Sequence, residues 1–323
     1  MAIFQLSIIV PCYNTADYLE DCLLSVTRHI PTRWRDAVEL IVINDGSTDH
    51  TAELLSDLLP KTNLSYQLIE QTNQGLSAAR NAGMAIACGR YIGFLDSDDI
   101  WLDGMQPLIA KIDTFNTDII EFNSKRFTDT EIDEYDVFKL PDTEQNLSHI
   151  KKAAFIQSDW MVWGRFYRRE ILSGIQFVEG ITYEDVLFTS QCYIRAQSIF
   201  TYNQACVGYR FRPTSITNTN TEKDLISLNH VVAVCHQQYQ LEPNDLNYFL
   251  LCNALTIYMH IYINMYKTIV GIGHKKLRRT LARNKAIKNF RLSIRLMISS
   301  LPLYLIARTV KWSMIAVLKA RKS

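Results

Sequence analysis

Residues 6–10, "LSIIV", and 39–43, "ELIVI", decide the fold class. Both are short apolar runs rich in β-branched residues, the pattern of strands buried on both faces. Between them Leu19, Cys22, Leu23 and Val26 recur at i, i+3, i+4 and i+7, which gives a helix one apolar face. Strand, helix and strand in that order make a βαβ unit. The pattern continues with a helix over about 49–59, a strand at "YQLIE" (66–70), a helix through "GLSAARNAGMAIA" (75–87) and the strand "RYIGFL" (90–95). Such alternation predicts an α/β, doubly wound and mainly parallel sheet, with ligands beyond the carboxyl ends of its strands.

Each predicted strand end carries usable chemistry: "PCYN" at 11–14, "NDGSTD" at 44–49 and "DSDD" at 96–99. Singly these are ordinary turn and N-cap residues. Together they converge on one crevice. In "FLDSDDIW" (94–101), Asp96, Asp98 and Asp99 crowd three carboxylates into four positions. Such a cluster either faces water at a turn or holds a cation.

With 323 residues, 48% hydrophobic and 21% charged, the chain has room for one large core and a smaller attached region. Residues 123–150 lose the alternating pattern and read as an acidic surface excursion. Helices are expected at 148–157 and 183–196, and beyond about 220 the periodicity is helical. Seven cysteines form no CxxC pair, so neither a zinc site nor a disulfide framework is indicated and a reducing compartment fits. No signal-peptide pattern opens the chain, and no run of about 18 uninterrupted apolar residues occurs. The segment "FLLCNALTIYMHIYINMY" is broken by Asn253, His260 and Asn264, so no spanning helix is expected.

The net charge is +1, yet no acid follows Asp245, and 15 Lys and Arg fall between Lys267 and Lys322. The rest of the chain carries 19 Lys and Arg against 33 Asp and Glu, a net −14. The basic end mixes Leu, Ile, Met and Trp with its charges, which suits an anionic bilayer surface better than a nucleic-acid groove. The alternative is a basic helical subdomain packed on the rest.

The ordered set "SIIVPCYN", "ELIVINDGSTDHT", "NQGLSAARNAGMAIACGRYIGFLDSDD", "WGRFYRREIL" and "GITYEDVLF" resembles the family 2 glycosyltransferases of the GT-A fold, over about residues 6–215. The resemblance implies an inverting hexosyltransferase-type enzyme that takes a nucleoside-diphosphate sugar, UDP-linked, and a divalent cation, Mn²⁺ or Mg²⁺. It places the nucleobase and ribose at the first strand end, with Pro11 and Tyr13 flanking the base and Asn14 beside them. Asp45 would accept a hydrogen bond from a uracil-type N–H, or else cap a turn. Arg80 would reach the base or phosphates, or else lie on a helix surface. Asp98 would bind the metal, with Asp96 at metal or ribose and Asp99 in support. Asp185 of "TYED" would be the general base and Glu184 would orient it or bind acceptor hydroxyls; otherwise the two acids complement a helix dipole. Tyr209, Arg210 and Arg212 would contact the diphosphate, unless they are surface residues. Trp163 and Arg165 match a "W-x-K-x-Y" neighbourhood in which arginine replaces the usual lysine.

Carried to the whole chain, the reading is a catalytic domain over 1–220 and a helical, basic region over 221–323. It implies a saccharide acceptor, lipid-linked, in bacterial surface-polysaccharide synthesis, at the cytoplasmic face of the membrane. A metal-dependent nucleotidyl or phosphoryl transferase leaves "TYED" and the NDGSTD turn without tasks, and no G-x-x-x-x-G-K-[ST] loop is present. A nucleotide-sugar-binding protein without turnover is the non-enzymatic alternative.

Overall fold

The computed structural model describes residues 4–128, 146–211 and 220–266, the backbone course of 132–138, and a few positions between 279 and 295. The chain divides into two compact units, residues 1–151 with 159–219, and residues 152–158 with 220–323.

In the first unit β1 (Phe4–Cys12) leads through α1 (Ala16–His29) to β2 (Val38–Asn44). α2 (Thr51–Leu58), β3 (Ser65–Glu70), α3 (Leu76–Ile86) and β4 (Gly89–Phe94) follow. β3, β2, β1 and β4 lie side by side and all pairs are parallel, with Ile8 opposite Leu40 and Gly93. The chain thus builds outward from β1 on one side and returns on the other. That reversal opens a crevice beyond the carboxyl ends of β1 and β4, the place where open α/β sheets bind ligands. Leu6, Ile8 and Val10 bury one face against Leu19, Cys22, Leu23 and Val26 of α1, each fully buried aliphatic contributing roughly 1.5–3 kcal/mol. On the other face α3 comes so close that a Cβ on Gly83 would lie 2.6 Å from Ile9 Cγ2.

Beyond β4 come β5 (Ile100–Trp101), α4 (Met105–Ile109), β6 (Ile119–Phe127), β7 (Ile132–Phe138), α5 (Leu147–Gln157), β8 (Arg165–Arg168), α6 (Glu184–Arg195) and β9 (Ile199–Arg210). The strand order continues β4-β8-β6-β9-β5, with β7 on β6, so this half of the sheet is mixed. The expected surface excursion at 123–150 is corrected at its start, over 123–127. β6 is an interior strand, antiparallel to β8 and parallel to β9. Its alternation fails because polar residues are buried within it. Glu121 accepts from the Tyr193 hydroxyl, and Asn123 Nδ2 donates to Asn203 Oδ1 at 2.5 Å.

In the second unit α7 (Glu222–Leu241) starts with a capping box in which Thr221 N donates to Asp224 Oδ2 at 2.7 Å. α8 (Asp245–Tyr266) is, by length and composition alone, long and apolar enough to cross a membrane despite the three interrupting residues. Most of that stretch is buried, as in the core helix of a soluble protein. Asn253, one of the interrupting residues, is buried and donates to the Phe155 carbonyl. The basic stretch from Lys267 onward lies almost entirely outside the described residues.

Candidate active site

The first wall of the crevice is made by the turns after β1 and β2. Pro11 is buried at the end of β1, and the next side chain outward, Tyr13, is 48% exposed at the mouth. Asn14 has φ +51° and ties the two turns together. Its Oδ1 accepts from Thr48 N at 2.7 Å, and its own N–H donates to Ser47 Oγ at 3.1 Å. Gly46, at φ +70°, turns the chain where a Cβ would lie 2.7 Å from the backbone nitrogen of Asn73. Asp45 is buried. It accepts from Gln71 Nε2 at 2.7 Å, Gln74 N at 2.9 Å and Gly75 N at 2.8 Å. It therefore anchors the loop entering α3, and a carboxylate's roughly four acceptor positions leave capacity for a further donor.

The opposite wall is the turn after β4. Asp99 N donates to Asp96 O at 2.9 Å and closes it. Asp99 is buried, and its Oδ1 accepts from Arg210 N at 2.8 Å. Asp98 is half-buried, and its carbonyl accepts from Arg210 Nε at 2.9 Å. Asp96 Oδ1 meets Arg80 Nη2 at 2.8 Å.

Arg80 is not a surface residue. It is buried in α3, and its second nitrogen, Nη1, reaches Glu184 Oε1 at 2.7 Å while the guanidinium sits 5.3 Å over the Phe177 ring. Burial alone would lower its pKa, but the Asp96 and Glu184 carboxylates outweigh that and raise it. This arginine links the DSDD turn to the first turn of α6, where Asp185 follows Glu184. The helix is entered through Tyr183 at φ +63°. Such strained residues concentrate at functional sites. Burial first, and the Glu184 carboxylate second, raise the Asp185 carboxyl to about 7, against the opposing pull of Arg80.

Of Tyr209, Arg210 and Arg212, the first two are described. Tyr209 stacks on Trp163 at 5.8 Å and 14°. The Arg210 guanidinium is buried, with Nη2 on Asp21 Oδ2 at 3.0 Å. Arg212 lies outside the described residues. Arg165 is fully buried, giving Nε to the Tyr193 hydroxyl at 2.6 Å, Nη1 to Met161 O at 2.8 Å and Nη2 to Asp159 O at 3.1 Å. It ties β8 to α6, a task that needs a planar, many-armed donor and explains why lysine is not equivalent here. Sequence reasoning missed Asp21, Gln71 and Phe177. Asp21 looks like any acid on the polar face of α1, and no local signal distinguishes it.

Among the described residues no three His, Cys, Asp or Glu side chains group as a metal cage. The hard oxygen donors of Asp98 and Asp96 fit a divalent cation held by one or two carboxylates and otherwise shared with phosphates.

The description "Glycosyl transferase family 2" matches residues 7–172, just over half of the chain. The chain belongs to glycosyl transferase family 2. EpsJ of Bacillus subtilis (strain 168), an uncharacterized glycosyltransferase, is 29% identical to this transferase over 268 residues, covering 80% of this chain and 74% of EpsJ. The crystal structure of S. aureus TarS 1-349 in complex with UDP-GlcNAc overlays with a TM-score of 0.70 at 18% identity, covering 91% of this chain and 86% of that one. The mannosyltransferase PcManGT from Pyrobaculum calidifontis, in complex with GDP-Man and Mn²⁺, overlays at 0.51 and 17% identity, covering 95% and 86%. Both overlays are likenesses of fold. The transferase has the GT-A architecture expected from its sequence, with a helical region toward its C-terminus.

Proposed function

We propose that this glycosyltransferase moves a sugar from a UDP-linked donor to a hydroxyl of a saccharide acceptor, with inversion at the anomeric carbon. The observation that carries the reading is the Arg80 bridge, which joins the Asp96 turn to Glu184 and so brings Asp185 to the crevice at the sheet's reversal point. UDP is favoured because Asp45, anchored at the base end, retains acceptor capacity for a uracil-type N–H. The better overlay is also with a chain holding UDP-GlcNAc.

Asp98, with Asp96 beside it, would hold the cation. When bound, the cation supplies neutralisation of the charge that grows on the departing diphosphate. Tyr13 and Pro11 flank the base, and Asn14 fixes the turn that carries them. Asp185 takes the proton from the acceptor hydroxyl as that oxygen attacks the anomeric carbon. The bond from that carbon to the diphosphate oxygen breaks on the opposite side, and the nucleoside diphosphate leaves. A carboxyl raised to about 7 is well matched to this work at neutral pH. Glu184 acts through Arg80, holding it between the two acid groups.

The catalytic domain spans 1–220. The region 221–323 serves association with the anionic inner membrane surface, where a lipid-linked acceptor for surface-polysaccharide assembly would be presented. The test is a panel of UDP-, GDP- and dTDP-sugars incubated with full-length protein and Mn²⁺, with release of nucleoside diphosphate measured. Selective turnover of a UDP-sugar is expected. Turnover of none, or a transfer product that keeps the donor's anomeric configuration, would overturn the mechanism.

A further inference from the structure

Arg210 and Asp21 lie 189 positions apart in sequence yet meet beside the DSDD turn. Three groups of Arg210 are committed at once. Its backbone N–H goes to Asp99 Oδ1 at 2.8 Å, its Nε to the Asp98 carbonyl at 2.9 Å, and its Nη2 to Asp21 Oδ2 at 3.0 Å. The guanidinium is sandwiched, 5.0 Å from the Tyr18 ring and 4.6 Å from the Phe127 ring. α1 adds two more ties to the same segment, Cys22 Sγ to Asp96 O at 3.8 Å and Ser25 Oγ to Trp101 N at 2.9 Å.

These contacts give Arg210 a task in the protein itself, whatever it does toward diphosphate. We infer that Arg210 and Asp21 form a positioning pair that fixes the backbone of the Asp96–Asp99 turn and so sets Asp98 for its cation. The inference rests on the proposed role of Asp98. Nε and the backbone N–H of one residue grip two successive residues of the turn, so the turn cannot rotate about Asp98 without losing both bonds. Electrostatics explains the need for Asp21. A guanidinium beside a cation site repels the cation, and the Asp21 carboxylate offsets that charge while holding the guanidinium in register. Asp21 itself stays largely exposed, with 66% of its side chain open. Its removal therefore leaves the core intact.

The experiment is a Mn²⁺ titration of UDP binding by calorimetry on the full chain, for wild type, Asp21→Ala, Asp21→Glu and Arg210→Gln, with a melting curve for each. Partners that orient metal ligands typically contribute about 10- to 100-fold in affinity. Asp21→Ala should therefore raise the half-saturating Mn²⁺ concentration by about tenfold in a protein that still melts cooperatively, and Asp21→Glu should restore most of it. Arg210→Gln should raise it by a larger factor, up to about 100-fold. Mn²⁺ dependence that is intact in wild type and the same in both Asp21→Ala and Arg210→Gln would overturn the pair and leave Asp98 as metal ligand. A wild-type protein whose UDP binding ignores Mn²⁺ would overturn the metal reading, and the pair with it.

Discussion

Replacing Asp185 by Asn should cost activity and increase stability, and the two effects have one cause. The folded carboxyl is raised from 3.8 to about 7, first by burial and then by Glu184. In acid, below about pH 4, folded and unfolded chains both hold the proton and the residue contributes nothing to the balance. Between about pH 4 and 7 the unfolded chain releases a proton that the folded chain keeps, so wild-type stability falls as pH rises through this window and is level above it. Asparagine never titrates and escapes that loss. A tenfold displacement of the proton equilibrium is worth about 1.4 kcal/mol, so the move from 3.8 to about 7 sets an upper limit near about 4 kcal/mol. Asp185 is only half-buried and lies in the field of Arg80. The expected gain at pH 8 is therefore on the order of 1–3 kcal/mol, or about 2–4 °C per kcal/mol in melting temperature for a unit of this size. Transfer should fall by roughly 10²- to 10⁴-fold, the usual range for a general base. Calorimetric melts of both proteins at pH 4.5 and 8, with turnover on the identified donor, test both halves. An Asn variant less stable than wild type at pH 8, or equally shifted at both pH values, would refute the reasoning. So would near-normal turnover.

Arg80→Met removes the cation shared by Asp96 and Glu184 and should destabilise the first unit by about 3–5 kcal/mol, the cost of breaking a buried pair. It should also move the acid limb of the kcat/KM profile to higher pH, because Arg80 holds the Asp185 carboxyl down. Glu184→Gln should shift the same limb to lower pH, since the Glu184 carboxylate pushes it up; a pH–rate series on both variants checks the opposed signs. Asp98→Ala should weaken Mn²⁺-dependent donor binding, and chelation should silence wild type, so full activity in excess EDTA would contradict the assignment. The full-length protein should sediment with anionic vesicles, less so in high salt, at about 1 kcal/mol per well-placed Lys or Arg; equal sedimentation after truncation near Gly273 would remove the membrane proposal.

The first half of the fold was legible because β1, β2 and β4 carry apolar runs and its helices keep a clean apolar face, so local pattern and tertiary placement agree. The second half was not, because its strands bury polar groups. Glu121, Asn123 and Ser124 in β6 and Arg165 in β8 are all buried. Tyr193, which serves both Glu121 and Arg165, comes from a distant element. A pattern that scores polar residues as outward-facing misreads such strands as loops. The same division runs through the site. Acids at strand ends stood out in the sequence, as did the acid pair opening α6. What each is bonded to did not, since Arg80 reaches partners 16 and 104 positions away and Arg210 reaches one 189 away.

In the proposed mechanism those bonds divide the work between two adjacent acids. Glu184 Oε1 is committed to Arg80 at 2.7 Å, and the same guanidinium is held from its other side by Asp96. Glu184 is thus held in the ion pair that orients the bridge. Asp185 has the neighbouring carboxylate and burial working against its ionisation, and Arg80 opposes both only in part. Where neighbouring acids have environments this different, the one whose proton is retained near neutral pH suits proton transfer, and the one locked in an ion pair suits structure. Arg80 therefore does two things at once. It joins the first turn of α6 to the DSDD turn, and it holds the Asp185 carboxyl down, as the proposed base requires at neutral pH. A lysine at position 80 would keep the charge but not the fork that spans two carboxylates on different elements, so position and poise would be lost together.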